Sequence, residues 1–382
     1  MLLATVLLFL LVGAGTAYNL FALFAVAAFF RETEEEPLTG ETPAVSILKP
    51  LKGMDPEGRE NLLSFCAQDY PFYEVLMGFT DPDDEAVPLA QDIAWGGCPG
   101  RVVLSPEGSA ANRKMANLAG LLDAARCPLI AVSDGDMRVD PLYLRRVVAE
   151  YEEEEGTGMV TSLYKITRPR SVGAALESLT IGLDFLPSVL VARRVEGVTF
   201  GLGASMLLSR GTLEDIGGFA PLQDYLADDY RIGNLIARRG LKVKLSRYVL
   251  EDVVGPMKVS EHVSHQVRWT RTYRASRPGG YAAYGITHVL PFAFFLLAFS
   301  GPTPLALGAL GLAFSVRIAL ALAVERTVVR SARWLLWLPL LPLKDVLGFG
   351  LWAHSFLGNT VSWRGRTYTL LKGGRIRETP KT

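Results

Sequence analysis

Residues 129–136 read Leu-Ile-Ala-Val-Ser-Asp-Gly-Asp, a short apolar run that ends in two aspartates separated by one glycine. The apolar run predicts a buried strand. Similar runs at 44–48 and 73–79 are separated from it and from each other by helix-like stretches at 55–69 and 114–125. Alternation of strands and helices indicates an α/β domain with a mostly parallel sheet.

Acidic residues follow two of the predicted strands. Thr80-Asp-Pro-Asp-Asp-Glu85 comes after the run at 73–79, and Asp134-Gly-Asp136 comes after the run at 129–133. Ligands of parallel α/β sheets bind beyond the carboxyl ends of the strands. These carboxylates are therefore candidates for holding a divalent cation, and an ordinary Asp-rich turn is the alternative.

Three further motifs have both a structural and a functional interpretation. Asn112-Arg-Lys-Met-Ala-Asn117 begins a predicted helix and offers amide and basic groups for phosphate or sugar oxygens. Ala227-Asp-Asp-Tyr230 places two acids at the first turn of a helix. They are either a cap favoured by the helix dipole or part of a functional site. His265-Gln-Val-Arg-Trp269 leads into a basic stretch. The structural interpretation is that these basic residues lie at the cytoplasmic edge of the membrane and set the orientation of the chain.

Charge is distributed unevenly along the 382 residues, although 39 basic residues balance 39 acidic ones. Residues 1–30 carry no charge, and residues 285–382 have 11 basic against 3 acidic side chains, which leaves 28 basic and 36 acidic residues in 31–284. The flanks therefore resemble lipid-embedded chain and the middle a soluble domain. This pattern excludes a wholly soluble protein and a nucleic-acid binder with a basic surface.

The three cysteines, Cys66, Cys98 and Cys127, all lie in the middle block. So few cysteines in a chain of this length exclude a disulfide scaffold. We expect a reducing compartment or simple burial.

The N-terminal run Met1–Phe30 is apolar throughout and long enough to cross a bilayer once with a tilt. A cleaved signal peptide is the alternative, because Gly13–Ala17 resembles a small-residue cleavage site. The apolar stretch 176–195, which ends near two arginines, is predicted to be either an interfacial helix or a core helix.

The C-terminal apolar region begins with 285–324, where a break at Gly301–Pro304 predicts a helical hairpin. The next segment, 334–357, has Lys344 and Asp345 at its centre, so it is either a span with a neutralised internal pair or a re-entrant segment. Basic residues on both sides of this segment favour the re-entrant interpretation and a cytoplasmic location for both flanks.

The predicted organisation has four parts. They are an N-terminal transmembrane helix (1–30), a cytoplasmic α/β domain (31–284), a C-terminal membrane region (285–357) and a basic cytoplasmic tail (358–382).

The motifs, in this order and spacing, resemble those of the ceramide glucosyltransferase type, glycosyltransferase family 21, over essentially the whole chain. The matching residues are Leu48-Lys-Pro-Leu-Lys-Gly53 with Asp55-Pro56, Asp69-Tyr-Pro71, Asp81 to Asp84, Asn112-Arg-Lys114 with Asn117, Ser133-Asp134-Gly135, Asp228-Asp229-Tyr230, Arg268-Trp269 and Ser362-Trp-Arg364. The resemblance implies a GT-A-like (Rossmann-like) domain flanked by transmembrane helices. It also implies transfer of a sugar from a UDP-sugar to a membrane lipid, and an inner-membrane location.

The resemblance also implies roles for individual residues. Asp84, with Asp81 and Asp83, would bind the nucleotide, Asp134 would lie in the metal and diphosphate site, and Asp229 would be the catalytic base. The remaining implied contacts are to the nucleotide sugar by Lys49, Asn112 and Lys114, and to the diphosphate or acceptor by Asp228, His265, Gln266, Arg268 and Trp269.

Two positions depart from the family pattern. His265 stands where the last family motif has Gln or Arg, and Gln266 comes one place late. Asp136 completes a D-x-D motif with Asp134, which predicts dependence on a divalent cation, Mg²⁺ or Mn²⁺.

The substrates stay open at this stage. The acceptor is ceramide or a hopanoid polyol such as bacteriohopanetetrol, and the donor sugar is glucose or N-acetylglucosamine. A processive polysaccharide synthase and a non-catalytic sugar-nucleotide-binding membrane protein are the alternative functions. No nucleic-acid partner is expected.

Overall fold

The computed structural model describes residues 2–31, 41–105 and 110–379. The strands are β1 Val45–Pro50, β2 Tyr73–Phe79, β3 Gly100–Leu104, β4 Leu129–Val132, β5 Met137–Arg138, β6 Thr157–Lys165, β7 Met206–Ser209, β8 Lys242–Asp252, β9 Thr360–Trp363, β10 Arg366–Leu370 and β11 Ile376–Glu378. The α-helices are α1 Leu2–Arg31, α2 Gly58–Cys66, α3 Val87–Trp95, α4 Arg113–Ala124, α5 Tyr143–Glu152, α6 Val172–Thr180, α7 Leu186–Glu196, α8 Arg210–Asp215, α9 Asp228–Arg238, α10 Val259–Ser276, α11 Pro278–Tyr284, α12 Val289–Ser300, α13 Pro304–Val324 and α14 Leu341–Ser355.

The central sheet has eight strands in the order β3-β2-β1-β4-β7-β6-β8-β5. Strands β3, β2, β1 and β4 are parallel, whereas β7 runs antiparallel to both of its neighbours. The strands predicted near 44–48, 73–79 and 129–133 are confirmed. Leu48 of β1 is in register with Val132 of β4, so the chain segments that leave these two strands emerge side by side at one edge of the sheet.

Both faces of the sheet are covered, as expected of a mostly parallel sheet. Val45 and Ile47 of β1 pack on one face with Phe65 of α2. Leu48, which points the opposite way, packs on the other face with Leu118 of α4. Alternate side chains of one buried strand thus contribute to two cores, and this makes the edge that carries the acidic loops rigid.

In the described ranges 2–31, 41–105 and 110–379, four helical segments are long and apolar enough to cross a membrane. They are Leu2–Arg31, Val172–Glu196, Pro304–Val329 and Ala332–Ser355, and the pair Pro278–Thr287 and Val289–Ser300, bent by 57°, would be a fifth. The predicted hairpin at 285–324 is present, although its first half is a helix of only 12 residues. Segment 172–196 is 72% buried, against 28–33% for the other three. It therefore lies between the α/β domain and the outer apolar helices.

The charged residues of the apolar C-terminal region are paired. Arg317 of α13 donates twice to Asp345 of α14, at 3.0 and 2.6 Å, and once to Asp184 at 3.0 Å. Lys344 contacts the same two carboxylates, at 2.5 Å from Asp184 and 2.8 Å from Asp345. Asn19 of α1 accepts from Arg317 at 3.2 Å. Two cations and two anions neutralise one another here, as charges in an apolar region must.

The C-terminal tail forms a second sheet of three antiparallel strands, β11-β10-β9. It packs against the α/β domain, because Tyr368 and Ile376 share a small core with Leu226. Ile376 N–H donates to the Asp224 carbonyl at 2.7 Å. The tail, predicted only as a basic segment, therefore returns to the domain a few residues before Asp228.

The cysteines differ from expectation. Cys66 and Cys98 form a disulfide that joins the end of α2 to the turn before β3, and Cys127 is unpaired. The two partners are 32 residues apart, and the packing of α2 beside β3 brings them together.

Candidate active site

The D-x-D loop follows β4 and rests on a buried lysine. Lys49 of β1 has no exposed surface. It donates to the backbone carbonyl of Asp134, and its Nζ lies 3.8 Å from the centre of the Phe65 ring. Burial lowers the pKa of Lys49 to about 7. The structure thus places Lys49 beneath the loop that carries Asp134, as its support.

A second lysine links the D-x-D loop to helix α9. Lys114 Nζ lies 2.6 Å from Asp134 Oδ1 and 3.6 Å from Asp228 Oδ2. Although burial opposes its charge, Asp134 and Asp228 raise the pKa of Lys114. Asn112 caps α4 by accepting from Lys114 N–H at 3.0 Å, and its amide donates to Asp228 Oδ1 at 3.4 Å. Asn112, Lys114, Asp134 and Asp228 therefore form one connected group.

The second acid of the D-x-D motif has an unused oxygen. Among the described residues, the buried Asp136 Oδ1 has no hydrogen-bond partner, and neither has Asp252 Oδ1 at the end of β8. Burial raises the pKa of Asp136 to about 6, with further contributions from Asp134 and Asp55. Burial likewise raises the pKa of Asp252 well above its usual value.

These carboxylates fit a divalent cation. A cation supplies the charge that buried, unpaired carboxylate oxygens lack. Among residues 2–31, 41–105 and 110–379, no group of three His, Cys, Asp or Glu side chains is arranged to enclose a metal ion. An open site with one or two carboxylates is the form in which Mg²⁺ is shared with substrate phosphates.

Asp229 lies at the first turn of α9 and faces the D-x-D loop across a glycine. Its Oδ2 accepts from Gly203 N–H at 2.7 Å, and its Oδ1 accepts from Tyr230 N–H at 2.7 Å. A Cβ on Gly203 would lie 3.1 Å from Asp134 Oδ2 and 3.3 Å from Asp229 Oδ2. Burial, followed by the neighbouring Asp228, raises the pKa of Asp229 to about 6.

The acidic loop after β2 borders a separate cavity. Asp84 accepts from Gly53 N–H at 3.0 and 2.9 Å and from Ala86 N–H at 3.0 Å, and so fixes the chain that leaves β1. Asp81 accepts from Asp83 N–H at 3.0 Å, and both side chains are exposed. The cavity has a volume of about 240 Å³ and is lined by Leu51, Lys52, Thr80, Asp81, Pro82, Asp84 and Arg113. Asp83 does not line it.

Helix α10 brings the last predicted motif to a buried glutamate. Glu177 of α6 accepts from His262 and His265 at 2.6 and 2.8 Å and from the Gln266 amide at 3.0 Å. Gln266 is buried, whereas the His265 side chain is 28% exposed and its ring packs on Trp269, with 4.9 Å between ring centres. His265 and Gln266 thus share one carboxylate, although neither stands in the position that the family pattern predicts.

Arg268 occupies the same helix. Burial lowers the pKa of Arg268. Its guanidinium makes no hydrogen bond or ion pair with any other residue that the structure describes. A half-buried guanidinium without an anion is suited to binding an anionic ligand.

Several residues near this site were not assigned a role from the sequence. Gly203 and Asp252 are near the D-x-D acids only because β7 and β8 join the same sheet, and Glu177 is brought to α10 by helix packing. Arg364 reaches the domain from the tail sheet and donates to the Lys52 carbonyl at 2.8 Å. Of these residues, Arg364 alone could have been identified from the sequence, because it ends the Ser362-Trp-Arg motif.

Comparison with known proteins identifies the fold first. The chain shares its fold with the mannosyltransferase PcManGT of Pyrobaculum calidifontis, solved in complex with GDP-Man and Mn²⁺. The TM-score is 0.54 and the identity 16%, covering 93% of this chain and 99% of that one. The predicted GT-A-like fold is therefore confirmed.

The family follows from the sequence. The model for glycosyl transferase family 21 matches residues 7–376, so the chain belongs to this family. Relatives include ceramide glucosyltransferase 1 of Caenorhabditis elegans, 23% identical over 93% of this chain and 77% of the relative. Ceramide glucosyltransferase 3 of the same organism is 24% identical over 87% of this chain and 74% of the relative.

Proposed function

We propose that the protein is an inverting membrane glycosyltransferase that moves a hexose or N-acetylhexosamine from a UDP-sugar to a lipid hydroxyl. The observation that carries this proposal is the arrangement around Gly203. An acid of the D-x-D loop and a candidate base at the start of α9 face the same small space. This arrangement supports a single displacement, in which the leaving group and the incoming hydroxyl lie on opposite sides of one carbon.

On the donor side, the chain must hold a diphosphate that gains negative charge as it departs. Asp134 and Asp136 would hold a divalent cation, Mg²⁺ or Mn²⁺, which stabilises that charge when bound. The chemistry of these ligands supports this, since one buried oxygen of Asp136 has no partner in the described part of the chain. The cavity beside Asp81 and Asp84 would receive the uridine.

On the acceptor side, Asp229 would act as the general base. It takes the proton from the lipid hydroxyl while that oxygen bonds to the anomeric carbon and the bond to the diphosphate breaks. A base works best when its pKa lies near the working pH, and burial raises the pKa of Asp229 to about 6. The hydrogen bonds from Gly203 and Tyr230 fix the orientation of its carboxylate.

The membrane helices would deliver the acceptor. Segment 172–196 packs between the α/β domain and the outer apolar helices, and Glu177 within it holds the His265 side of the site. A lipid whose hydroxyl lies at headgroup depth would reach the site without leaving the bilayer. The names of the relatives favour ceramide, and a hopanoid polyol such as bacteriohopanetetrol is the other candidate acceptor. Basic loops favour a cytoplasmic site on the inner membrane.

The test is release of UDP by detergent-purified protein with UDP-glucose or UDP-N-acetylglucosamine, each paired with ceramide or bacteriohopanetetrol. We expect one pairing to give acceptor-stimulated turnover that requires Mg²⁺ or Mn²⁺, with a product carrying one added sugar. A polymeric product would favour a processive synthase. A folded protein that binds no UDP and is silent with every pairing would contradict the proposal.

A further inference from the structure

The turn between β9 and β10 places an arginine where the backbone disfavours one. Trp363 pairs with Arg366, so Arg364 and Gly365 form a two-residue turn, and their φ angles are 47° and 75°. Turns with two positive φ angles prefer Asn-Gly, because a side chain other than that of Asn or Asp is strained in the left-handed region. The conformation of the hairpin therefore does not explain why an arginine stands at position 364.

The side chain of Arg364 leaves the tail sheet and reaches the α/β domain. One N–H donates to the carbonyl of Lys52, which lines the cavity beside Asp84. A guanidinium has five N–H donors. In the part of the chain that the structure describes, this is its one hydrogen bond, and its acceptor is neutral.

The charge of Arg364 acts on the D-x-D side of the cleft. It favours the ionised forms of Asp55 and Asp136 and disfavours the charged form of Arg268. Two guanidinium groups, of Arg364 and Arg268, are therefore held within electrostatic reach of each other, and neither is ion-paired with a carboxylate of the described residues. Like charges brought together in this way are stabilised by a shared anion.

The tail sheet is fixed firmly enough to position this side chain. Arg271 of α10 donates to the Thr360 carbonyl, and Arg274 donates to the Gly358 carbonyl at 2.8 Å. On the other side, Leu226 N–H donates to the Gly374 carbonyl at 3.5 Å. The sheet thus contacts both the helix that carries Arg268 and the loop that precedes Asp229.

We propose that Arg364, carried by the C-terminal sheet, binds the diphosphate of the sugar nucleotide together with Arg268. This rests on the proposed function, since it assumes a nucleoside-diphosphate donor. The arginine would supply charge-assisted hydrogen bonds to the bound diphosphate and would stabilise the charge that the phosphate gains as the bond to the sugar breaks. The tail is then part of the donor site.

The test compares Arg364→Asn with Arg364→Lys and with the control Arg366→Ala. Asparagine suits the left-handed turn position, so a purely structural role predicts an equal or higher melting temperature and no loss of binding. Arg366 of β10 pairs with Glu378 of β11 at 2.6 Å in the same sheet, and its replacement reports on the stability of the sheet alone. Binding of UDP in the presence of Mn²⁺ is measured by calorimetry, and turnover is measured with the active pairing.

We expect Arg364→Asn to weaken UDP binding by about 10-fold or more and to lower kcat, with the melting temperature unchanged. Arg364→Lys should recover part of the loss, and Arg366→Ala should bind UDP as the parent protein does. Equal UDP binding by Arg364→Asn and the parent would overturn the inference, as would equal losses in Arg364→Asn and Arg366→Ala. If the parent protein itself binds no UDP, the proposed function has failed instead.

Discussion

The backbone N–H of Gly203 donates to Asp229 Oδ2 at 2.7 Å, in a position where a side chain on Gly203 would contact Asp134 as well. This single glycine therefore separates the acid that would hold the metal from the residue that would act as base. The close approach of the two carboxylates depends on the absence of a Cβ.

Replacing Gly203 with alanine should reduce catalysis without unfolding the protein. The new methyl carbon would lie 3.1 Å from Asp134 Oδ2 and 3.3 Å from Asp229 Oδ2, so the carboxylates must shift by a few tenths of an ångström. A misplacement of reacting groups by about 1 Å costs about 100-fold in rate, so for this smaller shift we expect kcat/KM to fall by about 10-fold or more. Gly58→Ala, where a Cβ meets nothing within 4 Å, is the control, and parental kinetics in Gly203→Ala would refute this reading of the site.

The rate should depend on pH through Asp229. Burial raises its pKa to about 6, and the base must be ionised to accept a proton. With saturating Mn²⁺, kcat should therefore be constant above about pH 7 and should fall as the pH decreases through 6. A kcat that stays constant down to pH 4.5 would argue against Asp229 as the base. So would an acid-side decrease in kcat that occurs at the same pH in Asp229→Glu as in the parent protein.

A divalent cation should stabilise the protein, and this effect should fade in acid. Burial and Asp134 raise the pKa of Asp136 to about 6, so the folded state binds more protons than the unfolded state between about pH 4 and 6. Without metal, the free energy of unfolding should then increase as the pH falls through this range. Mn²⁺ should raise the melting temperature at pH 7.5 and should do so less at pH 5. Asp136→Asn should abolish the Mn²⁺ effect and Asp123→Asn should not, as a melting curve in each condition will show.

The polar group around Arg317 should hold the apolar helices together. Arg317→Met leaves Asp184 and Asp345 with Lys344 as their one remaining cation among the described residues, and breaking a buried ion pair on one side costs about 3–5 kcal/mol. We expect a large drop in the melting temperature in detergent. The double variant Arg317→Met/Asp345→Met should be more stable than Arg317→Met alone, because one cation and one anion are removed together. Arg326→Met, at an exposed position, should be neutral. A double variant no more stable than Arg317→Met would exclude this pairing.

The half of the site that follows β1, β2 and β4 was predictable from the sequence. Parallel strands place the residues after their carboxyl ends at one edge, so Asp84 and Asp134 could be located by finding the apolar runs that precede them. The aspartates of α9 were recognisable as the first turn of an amphipathic helix. The sequence did not distinguish residues that hold the site in place from residues that could touch a ligand. Lys49 and Gln266 belong to recognisable motifs, yet both are buried and bind other protein groups.

The other half depends on contacts between distant segments. The hydrogen bond between Arg364 and Lys52 joins residues 312 positions apart, and no local pattern predicts that a basic tail forms a sheet and returns to the domain. Glu177 also depends on a contact between distant segments. Its own segment is apolar enough to cross a membrane, and its carboxylate finds hydrogen-bond partners because α10 packs beside it. The pairing of Cys66 with Cys98 likewise follows from helix packing.

The most direct test of the account is the behaviour of Asp229→Asn in metal-dependent transfer from the active UDP-sugar to its lipid acceptor. Asparagine keeps the shape of the side chain and can accept from Gly203 N–H, but it cannot take a proton. We predict that UDP binding with Mn²⁺ stays within about threefold of the parent protein, while kcat falls by about 10²–10⁴-fold. Asp215→Asn, at an exposed position on α8, should match the parent. Turnover by Asp229→Asn at the parental rate would contradict the assignment of Asp229 as the base and, with it, the proposed mechanism.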